Sequence, residues 1–169
     1  SRFPVANRRA NFYSFSGAWD ISNENFFNVG FLDQLKVKAG FGQVGNQNIP
    51  ESAFVTLVNN GDFILGENKD LVVTNFVSQL PNANLQWETV EDINIGIEGS
   101  ILSNAITFNI ERYRRTSKDL LFRTSLPLFT GAPSLIWQNV GSFESSGWDI
   151  ALGYNKQIRN FTLSANATI

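Results

Sequence analysis

In 169 residues the chain carries 43% hydrophobic and 17% charged side chains and a formal net charge of −2. So little charge on so apolar a chain excludes a disordered segment, and the slight acidity excludes a basic nucleic-acid surface. Cysteine, histidine and methionine are absent, which removes disulfides, thiolate metal sites and thiol catalysis along with the commonest general base and metal ligand. No cofactor is implied, and an enzyme would have to work through paired carboxylates. The missing Met at position 1 reads as an internal piece of a longer chain. No apolar run approaches the ~20 residues a spanning helix needs, which does not argue against crossing a membrane by strands.

In chain order, Ser1–Ala10 is polar and basic and reads as a loop. Tyr13, Phe15, Gly17 and Trp19 alternate with Ser14, Ser16 and Ala18 in a first strand. Asp20–Gly30 is a connection with a capping pattern at Ser22–Asn25 that predicts a helical turn. Leu35, Val37, Ala39 and Phe41 alternate with Lys36, Lys38 and Gly40 in a second strand. A long connection follows, its Asn59-Asn60-Gly61-Asp62 cluster predicting the turn of a small hairpin.

The most regular stretch is 82–115. Ile93, Ile95 and Ile97 alternate with Asn94, Gly96 and Glu98, and Ile106, Phe108 and Ile110 alternate with Thr107, Asn109 and Glu111. The strands Leu85–Leu102 and Ala105–Arg115 are joined by a short turn whose chemistry comes from Ser103-Asn104. A second long connection, Thr116–Ser145, contains Pro127 and Pro133, which keep those positions out of a central strand. Trp148, Ile150, Leu152 and Tyr154 mark a fifth strand over Gly147–Asn155. Phe161, Leu163, Ala165, Ala167 and Ile169 mark a last one, with the alternation still running at Ile169.

The fold class is therefore all-β, with antiparallel up-and-down strands. Two architectures fit one apolar and one polar face: a soluble sandwich, such as a carbohydrate-binding or adhesion module, and a wall of a transmembrane β-barrel with a wet lumen. The connections favour the barrel. Long ones near 43–84 and 116–145 alternate with short ones, as the outer loops and inner turns of outer-membrane barrels do. Trp19, Trp148 and Tyr154 would then join interfacial girdles.

Four pieces carry a resemblance. Leu35–Asn48 (LKVKAGFGQVGNQN), Pro81–Gly96 (PNANLQWETVEDINIG), Arg112–Leu121 and Asn139–Gly147 (NVGSFESSG) occur in this order. Together they resemble the barrel of TonB-dependent outer-membrane transporters of the SusC/RagA type. The resemblance implies that residues 1–169 are part of a large barrel in the bacterial outer membrane, without its plug domain and remaining strands. It implies import of oligosaccharides or other large nutrients, peptides included. The partners it implies are a SusD-like surface lipoprotein, the TonB complex acting through the plug region, and outer-membrane lipid.

Trp87 in Trp87-Glu88-Thr89 is a candidate for stacking on a sugar, but an interfacial anchor beside a lumen-facing Glu88 is the simpler reading. Phe129, Trp137 and Phe143 are candidate contacts to ligand or partner from the second loop. Glu88, Glu91, Asp92, Glu98 and Glu111, balanced by Lys36, Lys38 and Arg112, read as lumen polarity rather than a glycosidase pair. The Asn and Asp residues of 59–62 and 68–70 could ligate calcium but lack EF-hand spacing, so they read as turns and no metal site is expected.

Overall fold

The computed structural model describes residues 2–66, 70–125, 127 and 135–169. Among the described residues, ten strands form three sheets. The large sheet contains β1 (Ser14–Asp20), β2 (Leu32–Asn46), β5 (Glu88–Ile101), β6 (Ile106–Lys118), β9 (Ser142–Ile158) and β10 (Phe161–Thr168), in the order β1-β2-β5-β6-β9-β10. β3 (Leu57–Leu65) pairs with β4 (Asp70–Gln79), and β7 (Leu121–Ser125) with β8 (Leu135–Asn139), each antiparallel. The large sheet is thus an up-and-down meander whose two long connections each contain a hairpin.

The chain divides into two compact units. One comprises Ser1–Asn11, Gly45–Thr89 and Ser117–Ser142; the other comprises Phe12–Val44, Val90–Thr116 and Phe143–Ile169. The first holds the long connections and has its own small core. Phe3, Ile49, Ala53 and Leu85 are buried there, with Phe54, Trp87, Leu121 and Trp137 packed against them. The second unit is the body of the six-stranded sheet.

Among the described residues, those four are the buried apolar side chains, and none lies in the sheet unit. The apolar side of the sheet is bare. Phe15 is 70% exposed, Ile95 58%, Trp148 60% and Leu163 56%. A sandwich would bury such a face in its core, whereas these side chains are exposed. On β5 the apolar series runs from Ile93 to Ile101. At ~3.3 Å per residue it covers about 26 Å along the strand, or about 20 Å at a ~40° tilt, close to the apolar band of a membrane barrel.

Two local expectations are corrected. The first hairpin does not turn at Asn59–Asp62: β3 runs straight through these residues, pairing them with Phe76, Asn75, Thr74 and Val73, and the chain reverses between Leu65 and Asp70. Gly66, at φ +79°, opens that reversal. The β5–β6 turn involves more than Ser103-Asn104, because Leu102, Ser103 and Asn104 all have positive φ near 60°. The Asp20–Gly30 connection holds a single 3-10 turn, Ile21–Asn23.

Candidate functional site

Alternation sets the chemistry of each side of the sheet. In the β1–β2 pair, Ser14, Ser16, Ala18 and Asp20 lie opposite Gly42, Gly40, Lys38 and Lys36, and so share one face with them. That face carries a ladder of opposite charges. Lys36 Nζ lies 2.9 Å from Glu98 Oε1, and Lys38 Nζ lies 3.7 Å from Glu98 Oε2 and 3.1 Å from Glu111 Oε2. Asn94 Nδ2 donates to Glu111 Oε1 at 3.0 Å, and Arg115 Nε donates to Asp92 Oδ2 at 3.0 Å. Each of these carboxylates has a cation or amide partner and stands partly in solvent. Such an arrangement keeps a hydrated wall neutral and orders its side chains.

Glycines on the same face make room for the ladder. A β-carbon at Gly96 would stand 3.0 Å from the Ile110 carbonyl oxygen and 3.1 Å from Lys38 Cε. One at Gly147 would stand 2.8 Å from the Tyr113 hydroxyl. Long side chains from one strand therefore lie flat over the glycines of the next.

Higher on the polar face, Tyr113, Arg115, Phe143 and Asp149 line a groove with Asp92 and Glu111. Tyr113 and Phe143 are the aromatic side chains that alternation places on the polar side of these six strands. Phe143 is 63% exposed. A bare phenyl ring on an otherwise hydrophilic surface, flanked by hydrogen-bonding groups, can stack against the apolar face of a solute while its neighbours bind the polar rim.

Two charged residues expected in the lumen face the other way. Glu91 shares the parity of Ile93 and accepts from Gln43 Nε2 at 2.9 Å; Arg112 shares the parity of Ile110 and lies over the Trp148 ring. Alternation alone carried this information, since each is an odd step from its polar neighbours. Both stand where the apolar series of their strands ends.

The other candidates belong to the loop unit. Trp87 is half-buried and engaged within the chain. It stacks on Phe3 at 4.9 Å between centroids, and its Nε1 donates to the Asn7 carbonyl at 3.0 Å. Glu88, read as facing a lumen, accepts from Asn46 Nδ2 at 3.2 Å and from the Leu121 amide at 3.1 Å. Trp137 packs against the small core with the Arg123 guanidinium 5.9 Å from its ring. Phe129 lies outside the described residues.

Sequence reasoning missed what the polar motif residues do in this unit. Asn139 Nδ2 donates to the carbonyls of Gln86 and Asp119, both at 2.8 Å, while its Oδ1 accepts from the Gln86 amide at 2.9 Å. Asn82 Nδ2 donates to the Trp137 carbonyl at 2.8 Å, and Asn7 Nδ2 to the Leu85 carbonyl at 3.1 Å. Asparagine suits this work because one side chain supplies both donor and acceptor to backbone outside regular pairing.

Comparison with known proteins agrees with this geometry. The family described as TonB dependent receptor-like, beta-barrel, matches residues 2–169. TonB-dependent receptor P39 of Formosa agariphila is 35% identical over 161 residues, covering 95% of this chain and 15% of that protein. TonB-dependent receptor SusC of Bacteroides thetaiotaomicron is 33% identical over 174 residues, covering 99% of this chain and 17% of that protein. The RagAB peptide importer in its closed-closed state superposes with a TM-score of 0.83 at 29% identity, over 99% of this chain and 18% of that one. The chain thus spans less than a fifth of the length of these relatives. With a match along nearly its whole length and a sheet that leaves its apolar side bare, the chain belongs to the TonB-dependent receptor-like β-barrel family and is a segment of the barrel wall.

Proposed function

We propose that this segment serves a bacterial outer-membrane transporter importing oligosaccharides, peptides or nutrients of similar size. Its polar face would line the aqueous path and its apolar face would meet lipid. The single observation that carries this reading is the pairing of an uncovered apolar face with a hydrogen-bonded charge ladder on the opposite side of the same strands. In the proposed whole protein, a plug region absent from these residues gates the lumen and receives energy through TonB. The connections near 43–84 and 116–145 lie outside the cell and face a SusD-like lipoprotein. Phe143 is the proposed solute contact, because its ring is bare on the hydrophilic side. Trp87 and Trp137 are proposed to shape the loops that present the solute, and Phe129 is a proposed contact to solute or partner. The similar structure described as a peptide importer supports the peptide class, and the oligosaccharide class follows from the resemblance drawn from the sequence.

The test uses the full-length transporter in cells supplied with fluorescent oligosaccharides and peptides. Asn94→Cys, coupled to biotin-maleimide and capped with streptavidin, is expected to stop uptake. Treatment of Ile95→Cys is expected to leave it unchanged. Uptake that survives a capped Asn94→Cys while a capped Ile95→Cys blocks it would reverse the assignment of the two faces.

A further inference from the structure

The apolar face ends in a small cationic cluster. On β6 the outward series Ile106, Phe108 and Ile110 gives way to Arg112 and Arg114; on β9 the series Leu152, Ile150 and Trp148 gives way to Ser146 and Glu144. Arg114 Nη2 lies 2.7 Å from Glu144 Oε2, so its charge is balanced. Arg112 is arranged differently. Its guanidinium carbon sits 5.4 Å from the centroid of Trp148, and Nη2 donates to Ser146 Oγ at 3.4 Å. Among the described residues, no carboxylate lies within ion-pair distance of it. The indole fixes the plane of the guanidinium and leaves most of its donor fork open.

We infer that Arg112, seated on Trp148, binds the phosphate of an outer-leaflet lipid, whose acyl chains lie over Trp148, Ile110 and Phe108. Two observations favour a lipid phosphate over a free one. The cluster adjoins exposed apolar side chains, Trp148 being 60% exposed, which an acyl chain would cover. It also stands on the bare face and not on the hydrated one, where the charge ladder already balances itself. A planar guanidinium matches phosphate oxygens two at a time, and an indole beneath it is common at the level of lipid headgroups. Glu144 limits the site to one cation by occupying Arg114. The inference rests on the proposed outward orientation of the apolar face.

The test is native mass spectrometry of the full-length transporter in detergent. It would be titrated with lipid A carrying its phosphates and, separately, with the same lipid A after enzymatic dephosphorylation. Wild type is expected to retain the phosphorylated form about tenfold better, the scale of one charge-assisted hydrogen bond. Excess inorganic phosphate should not displace it. Arg112→Gln should erase the preference, Arg112→Lys should keep part of it, and Glu144→Gln should strengthen it by freeing Arg114. The opposite responses at Arg112 and Glu144 separate a headgroup site from general damage to the barrel. Equal retention of the two forms by wild type would overturn the phosphate site and leave the lipid-facing wall standing. Retention of neither would overturn both. A preference untouched by Arg112→Gln, displaced by inorganic phosphate, or weakened by Glu144→Gln would also refute the inference.

Discussion

Leu85 fills the small core of the loop unit, where it is fully buried beside Phe3 and Ala53. Leu85→Ala should therefore cost about 2–5 kcal/mol of that unit's local stability through lost transfer energy and an unfilled cavity. Hydrogen exchange of the loop amides in the full-length protein would read this as faster opening, with the sheet amides unchanged. Glycines give a second contrast. A β-carbon at Gly40 meets only the end of the Asn94 side chain, which can rotate away; one at Gly99 meets the Gln34 carbonyl and, at 2.7 Å, the Phe108 ring. Gly99→Ala should lower stability by about 1–3 kcal/mol, whereas Gly40→Ala should stay within about 0.5 kcal/mol. Denaturant unfolding in lipid vesicles, followed by the heat-dependent shift in gel mobility, would rank the two.

The strands are longer than their alternation suggests. The sequence marks a fifth strand over Gly147–Asn155, while β9 extends over Ser142–Ile158; β2 likewise runs to Asn46, beyond Phe41. The outward residues turn polar where a strand leaves the apolar band, as at Gln43, Glu91 and Arg112, so the pattern fades although backbone pairing continues. Alternation thus reports the apolar span and understates the ladder. Turns were less legible still. Asn-Gly-Asp is a strong turn signal, yet at Asn59–Asp62 the cross-strand pairing with Phe76–Val73 holds the segment extended. Conversely, nothing in Leu102 announces a left-handed backbone, but it and Ser103 both stand at φ 57°. A residue with a β-carbon pays roughly 1 kcal/mol there. Ser103→Gly should stabilise the β5–β6 hairpin by about that amount, seen as a higher unfolding midpoint.

Across the whole molecule, most of the architecture was readable because strand period, loop alternation and four ordered motifs agree. What the motif residues do was not readable. Trp87 looks like a ligand-stacking side chain in one dimension, but its indole stacks on Phe3 and donates to the Asn7 carbonyl. Asn82 and Asn139, to which the sequence assigned no role, hold loop backbone together. A sequence shows that a side chain can stack or hydrogen-bond; only the fold shows whether a neighbour already occupies it. Phe143 is the counterexample, since its ring remains bare on the polar face.

The central claim is that one face of this sheet meets lipid and the other water. It is tested most directly by spin-label scanning of positions 93 to 98 in the full-length transporter reconstituted in bilayers. Each single-cysteine variant would be probed for collisions with oxygen, which concentrates in lipid, and with a water-soluble nickel chelate. A strict period of two is expected: oxygen contact at Ile93, Ile95 and Ile97, and nickel contact at Asn94, Gly96 and Glu98. Uniform exclusion of both probes at the isoleucines would mean that protein covers the apolar face, contradicting a barrel wall.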